Sequence, residues 1–255
     1  MSSKKKTLNA IFQSCKEAGD FNFDNKKVKR ICEQTGFGNP FDVTKIDNSN
    51  LLPDEMREEN YCVVHLGRGR HCFMPIADVW YHQLETINQN ERKSWEYKPS
   101  VLNHTDMSES NVISFAYNQR IIQNFLYGDI AANPKIYMSR RTKITTSYSV
   151  GTEKIEVEGL QMELDATFEF EGKVTVLEAK NGFPPDFTLY QLFHPCLDYH
   201  EKKIEGIKEI TGCYLLRDKD AHTIRLYLYT FSRPDDMMSI HLVKKAEYIL
   251  KREEL

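Results

Sequence analysis

The stretch GLQMELDATFEFEGKVTVLEAKNG, residues 159–182, holds Asp165, Glu178 and Lys180 in a D…ExK spacing. Two β-prone runs flank Glu171-Gly172, a pair suited to a two-residue hairpin loop. With that loop, Phe170 faces Lys173, Asp165 lands opposite Glu178, and Glu163 lands opposite Lys180. Residues paired across an antiparallel ladder hold their Cβ atoms about 4.5–5.5 Å apart. Alternation sends Glu178 and Lys180 to one side and Ala179 to the other. Adjacent carboxylates repel, and a cation relieves them. Hard oxygen ligands with open positions suit Mg²⁺, with Mn²⁺ expected to substitute. A metal-acidified water beside a lysine is equipment for hydrolysing a phosphodiester, with Lys180 orienting the water and offsetting phosphate charge. A solvated, salt-bridged face is the plain alternative for an ExK. The context favours the site, because VTVLEAK is an apolar strand that turns charged only at its end.

The elements around the hairpin have to deliver these groups. FTLYQLFHPCLDYHEK reads as a helix entered through the Pro184-Pro185-Asp186 turn, with Gln191 on its first turns, near the end of the ExK strand. An amide there could meet the scissile phosphate or a metal-bound water. CYLLRD and TIRLYLYTF read as strands that extend the sheet. Upstream, a helix is predicted from Glu109 to Tyr127, with Ile113, Ala116, Ile121 and Phe125 on one face and Gly128 past its end. Residues 135–158 are strand-like and carry Arg140, Arg141 and Lys143, candidates for contacts with phosphate or guanine edges. The fold class is therefore α/β, a mixed central sheet flanked by helices.

The N-terminal part reads differently. Residues 4–35 are Lys-rich with helical spacing, and TGFGNPFDVTKIDNSNLLPDE is turn-rich. YCVVHLGRGRHCFMPI is a hairpin with a basic tip, where Arg68 and Arg70 are further candidates for DNA contacts. Helices followed by a basic-tipped hairpin suggest a small α+β module resembling a winged helix; a structural cap is the alternative. The polar stretch 84–106, with Pro99, is the candidate linker, dividing the chain into 1–95 and 96–255.

Composition sets the bounds. The chain has 255 residues, 40% of them apolar, enough for a sizeable core, and carries a net charge of −3. A mild negative charge does not exclude a locally basic DNA-binding face. No apolar run approaches the roughly 20 residues of a membrane span, and MSSKKKTLNAIF lacks the apolar core of a secretory signal, so a cytoplasmic location is expected. The six cysteines form no CxxC pair, which argues against a zinc ribbon or a disulfide framework. No P-loop and no HExxH is present.

Taken together, VEGLQMELDATFE, VTVLEAKNG and YQLFHPCLDY resemble the core of type II restriction endonucleases of the PD-(D/E)xK superfamily, over roughly residues 105–235. FDVTKIDNSNLLP and GRGRHCF resemble, more loosely, an N-terminal region of some such enzymes. The resemblance implies a restriction-endonuclease-like core and Mg²⁺-dependent, sequence-specific cleavage of double-stranded DNA. It implies Asp165, Glu178 and the Ala179 carbonyl as metal ligands, Lys180 as the catalytic lysine and Gln191 as an accessory residue; the hairpin register adds Glu163 as a neighbouring candidate ligand. A homodimer on a palindromic site is expected, with a cognate DNA methyltransferase as functional partner. Two departures stand out: Leu164 occupies the place of the proline, and VISFAYNQRIIQNF supplies no helix-borne acid, leaving Glu109, Asn118 or Gln119. A repair or recombination nuclease of the same fold, and a DNA-binding protein without catalysis, are the alternative readings.

Overall fold

The computed structural model describes residues 2–98, 109–218 and 222–252. The chain begins with α1 (Ser3–Ala18), whose Leu8, Ile11, Phe12 and Cys15 recur at helical spacing and are fully buried. Ser2 caps its start and Gly19, at φ 65°, ends it. β1 (Asn22–Asp24) leads into α2 (Asn25–Thr35), capped by the Asp24 carboxylate on Lys27 N–H at 2.9 Å. After a long turn-rich segment come α3 (Asp54–Glu58), β2 (Cys62–Gly67) and β3 (Arg70–Met74). β3 pairs antiparallel with both β1 and β2, giving the order β1-β3-β2. The hairpin expected around Gly67-Arg68-Gly69 is present.

A short helix α4 (Ala77–Trp80) and β4 (Tyr81–Gln83) cross to the rest of the molecule. The remaining elements are β5 (Arg92–Tyr97), α5 (Glu109–Asn118), α6 (Ile121–Tyr127), β6 (Lys135–Val150), β7 (Glu153–Phe170) and β8 (Lys173–Asn181). They continue with β9 (Asp186–Thr188), α7 (Tyr190–Lys202), β10 (Glu209–Asp218), β11 (Thr223–Phe231) and β12 (Ile240–Arg252). Seven strands form one mixed sheet in the order β5-β12-β11-β10-β8-β7-β6, parallel at β8/β10 and β12/β5 and antiparallel elsewhere. The α/β class and the flanking helices are as expected. β4 and β9 pair separately. Among the described residues no helix is long and apolar enough to cross a membrane.

Two expectations need correction here. The polar stretch 84–106 is not a linker throughout, because Arg92–Tyr97 joins the sheet alongside β12, and a boundary between residues 95 and 96 cuts that strand. Pro99 and the rest of that stretch to residue 106 lie outside the described residues. The helix expected from 109 to 127 is two helices, broken at Arg120, whose φ of 63° no α-helix accommodates.

The sheet has a buried core on each face. Leu177 and Ala179 of β8 pack with α5 and α6, while Val174 and Val176 pack with α7 and the first module. Glu178 and Lys180 continue the second of these alternating sets, so strand periodicity aims them at the face that carries the first module. The β7–β8 ladder runs from Phe170↔Lys173 to Ala166↔Leu177 and ends there. Glu171 and Gly172 turn the hairpin at φ 53° and 84°, the doubly left-handed pair that a two-residue loop requires. Beyond the ladder's end, β7 leaves the sheet with β6 as a two-stranded arm. Leu160, Met162 and Leu164 of that arm join the core of the first module, whereas Ala166 and Phe168 belong to the opposite face. A bulge between Ile144 and Thr146, opposite Gly159, bends it.

The basic hairpin tip docks on this arm. A Cβ on Gly67 would lie 2.1 Å from the Glu158 carbonyl oxygen, a backbone-to-backbone approach open only to glycine. Arg68 and Arg70 pair with Glu158 at 2.9 and 3.5 Å, but all three side chains are about half exposed or more. Such pairs are worth about 0–1 kcal/mol each, so close backbone packing holds the tip more than charge does. Gly67→Ala is expected to cost about 2–3 kcal/mol in urea unfolding; a loss below about 0.5 kcal/mol would show the tip to be undocked in solution.

Candidate functional site

Asp165 is the last residue of β7 before the ladder with β8 begins. Its Oδ2 accepts the Ala179 N–H at 2.9 Å, so a carboxylate takes over where the backbone ladder stops. The expected closeness of Asp165 and Glu178 follows from this register. On β8, Lys180 Nζ lies 2.9 Å from Glu178 Oε1, with side chains only 17% and 12% exposed. From the first turn of α7, Gln191 Nε2 donates to Glu178 Oε1 at 3.1 Å and to Asp47 Oδ1 at 3.5 Å. Gln191 Oε1 is buried with no hydrogen-bond partner among the described residues.

The electrostatics are those of a strained acidic cluster. Burial pushes the Glu178 carboxyl up to about 8, against the pull of the Lys180 ammonium, and the charges of Asp165 and Asp47 push it further. Burial and these two carboxylates favour the neutral form of Glu178; Lys180 favours the charged one. As the side chains stand, no three His, Cys, Asp or Glu groups among the described residues close on one point. Protein donors fill the gaps between them: Lys180 on Glu178, the Ala179 amide on Asp165, and Gln191 between Glu178 and Asp47. The donor set still suits a hard cation: carboxylates, a buried orphan amide oxygen, and the Ala179 carbonyl. In a strand the C=O and N–H of one residue face the same edge, so that carbonyl faces Asp165.

These groups floor a cavity of about 830 Å³ lying between the first module and the sheet. Its rim is basic, with Lys45, Arg68, Arg70, Arg141 and Lys143. His65, His71, His194, Trp80 and Tyr190 line it too. His65 Nδ1 meets His71 Nδ1 at 2.8 Å, and His71 Nε2 meets Asn25 Oδ1 at 2.9 Å.

Not every expected residue belongs. Glu163 does not pair with Lys180, because β7 has already left β8; it faces Arg141 on β6 and forms an ion pair with it at 3.0 Å. It lines the cavity wall, where it is the partner of Arg141 and accepts a hydrogen bond from Gln161 Nε2 at 2.9 Å. Arg140 is exposed and does not line the cavity; alternation aims it away from the side taken by Arg141 and Lys143. Asn118 is exposed and Gln119 donates to the Lys98 carbonyl at 2.9 Å, so neither supplies the missing acid. The Glu109 side chain lies outside the described residues.

The acid that is present, Asp47, lies in the turn-rich segment and was not singled out in the sequence. The signal that could have found it is the pair Val43 and Ile46, both buried, which anchor a segment otherwise read as surface loop.

Residues 77–249 match a family model described as a domain of unknown function (DUF6997), and residues 5–73 match a second one (DUF6996). No curated protein and no solved structure matches the chain. The junction between the two matched regions, residues 74–76, precedes β4 and β5, which pair with strands of the second region.

Proposed function

The chain belongs to the DUF6997 family, and on that premise we propose that it is a Mg²⁺-dependent endonuclease that hydrolyses phosphodiester bonds of double-stranded DNA. One observation carries the proposal: Asp165, Glu178 and Lys180 gather where β7 leaves β8, beneath a rim of arginines and lysines. Clustered acids repel phosphate, so a site for DNA binding alone has no use for them; a basic rim over an acidic floor is what a cation-assisted nuclease needs.

Asp165, Glu178 and the Ala179 carbonyl would hold the cation, with the Gln191 amide oxygen beside them. A bound Mg²⁺ would acidify a water and offset charge on the scissile phosphate. The protein's own groups do the rest. Lys180 holds its ammonium against Glu178, where it can orient the attacking water and meet developing negative charge. Arg141 and Lys143 on the arm, and Arg68 and Arg70 on the hairpin tip, are set to take backbone phosphates. The first module supports a duplex substrate, because helix, strand, helix, helix, strand, strand, with its first strand beside its third, is the order of a winged helix.

The finer reading is a type II restriction endonuclease of the PD-(D/E)xK superfamily, a cytoplasmic homodimer with a methyltransferase as its functional partner. Supercoiled plasmid incubated with Mg²⁺ is expected to give discrete fragments that vanish with EDTA. Nicking or a smear would point to a repair nuclease instead. No cleavage with Mg²⁺ or Mn²⁺ would overturn the enzymatic reading and leave a DNA-binding protein.

A further inference from the structure

We propose that Asp47 is the third carboxylate of the cation site, supplied by the first module, so that the centre is complete only when that module is seated on the sheet. The inference rests on the metal-dependent reading above and extends it to a residue of a different region of the chain.

Three observations carry it. First, Gln191 Nε2 reaches both Glu178 Oε1 and Asp47 Oδ1, at 3.1 and 3.5 Å, so one amide joins the two carboxylates. Second, the segment is stitched to the chain just before α7. Thr188 N donates to the Asp47 carbonyl at 3.1 Å, and Ser49 donates its N–H, at 2.7 Å, and its hydroxyl to the Asp186 carboxylate, itself 6% exposed. Asp47 and Gln191 therefore sit on either side of one short stretch of backbone, and Val43, Thr44 and Ile46 bury the approach. Third, the Gln191 amide oxygen is buried without a donor among the described residues. An amide that spends its N–H on two carboxylates and leaves its oxygen orphaned is incomplete as a purely structural link. A cation between those carboxylates would meet both an oxygen-rich surround and the charge that Lys180 alone leaves unbalanced.

A structural role for Asp47 predicts a different outcome, in which the fold suffers and cation affinity does not. The test is Mn²⁺ binding to the full chain, followed by the electron paramagnetic resonance of free Mn²⁺, with thermal unfolding in parallel. Asp47→Asn keeps the backbone bond to Thr188 and is expected to weaken Mn²⁺ about 10–100-fold while melting close to the parent. Asp47→Ser is the second variant, and Asp42→Asn, which alters a half-exposed acid five residues away that pairs with Lys4 instead, should bind as the parent does. If Asp165→Asn weakens Mn²⁺ and neither Asp47 variant does, this inference is overturned and the nuclease reading stands. If the parent chain itself fails to bind Mn²⁺, the nuclease reading falls and takes this inference with it.

Discussion

On the proposed endonuclease reading, Lys180→Ala is expected to lower Mg²⁺-supported cleavage of plasmid DNA by about 10²–10⁴-fold while the affinity for a labelled duplex in Ca²⁺ stays within a few-fold. The magnitude is that of losing one positioned proton-handling or charge-stabilising group. The ammonium lies 2.9 Å from Glu178 and is only 17% exposed, so it is held in place rather than sampling solvent. Its removal also takes away the main influence that keeps Glu178 from being driven still higher by burial. Duplex affinity is expected to persist because the rim residues lie on other elements, the arm and the hairpin tip. Cleavage rates and fluorescence anisotropy measured on the same preparation separate the two effects. Cutting by Lys180→Ala within tenfold of the parent would remove Lys180 from the mechanism. Arg141→Ala should do the reverse, acting on affinity and its salt dependence.

Acid should unfold this protein early, and His194 is a measurable share of the reason. His71 and His194 are 8% and 4% exposed, and burial lowers each to about 3, with the neighbouring His65 adding repulsion. His65 is itself lowered to about 4, again chiefly by burial. In the unfolded chain a histidine takes its proton near 6.5. Below that pH the unfolded state therefore binds protons that the fold refuses, and stability falls as pH drops from about 6.5 toward about 3. At pH 5 each fully buried imidazole costs about 2 kcal/mol relative to neutral pH. His194 Nε2 is buried without a hydrogen-bond partner among the described residues, so an apolar replacement leaves nothing else unpaired. His194→Leu is thus expected to match the parent in urea at pH 7.5 and to lose about 2 kcal/mol less than the parent at pH 5. Equal losses in both proteins would mean that His194 already takes up its proton inside the fold.

What the sequence disclosed depended on how local the cause was. The hairpin at Glu171-Gly172 was legible because turn chemistry and strand alternation act over a few residues. The same counting placed Asp165 across from Glu178 and Lys180 beside it. Counting failed two residues further on, at Glu163, because a ladder's end is decided by packing: Leu160, Met162 and Leu164 pull β7 toward the first module. Asp47 was invisible for a related reason. Nothing distinguishes it from Asp42 or Asp54 except the tertiary bonds of Asp186 and Thr188 that fix its segment. β5 looked like linker because five of its six residues, Arg92, Lys93, Ser94, Glu96 and Tyr97, are polar or amphipathic, as an edge strand permits. The break at Arg120 carried no proline or glycine to announce it.

The arm formed by β6 and β7 has a mechanical meaning. Asp165 is at once the first residue free of the β8 ladder and part of the strand that carries the arm away. As a lever the arm would have its fulcrum at the Ala166↔Leu177 pair, with Asp165 on the arm's side of it. A load applied through Arg141 or Lys143 arrives at that fulcrum as torque on the carboxylate held by the Ala179 amide. Whatever grips the arm would therefore be felt, through one strand, at the acid proposed to hold the cation.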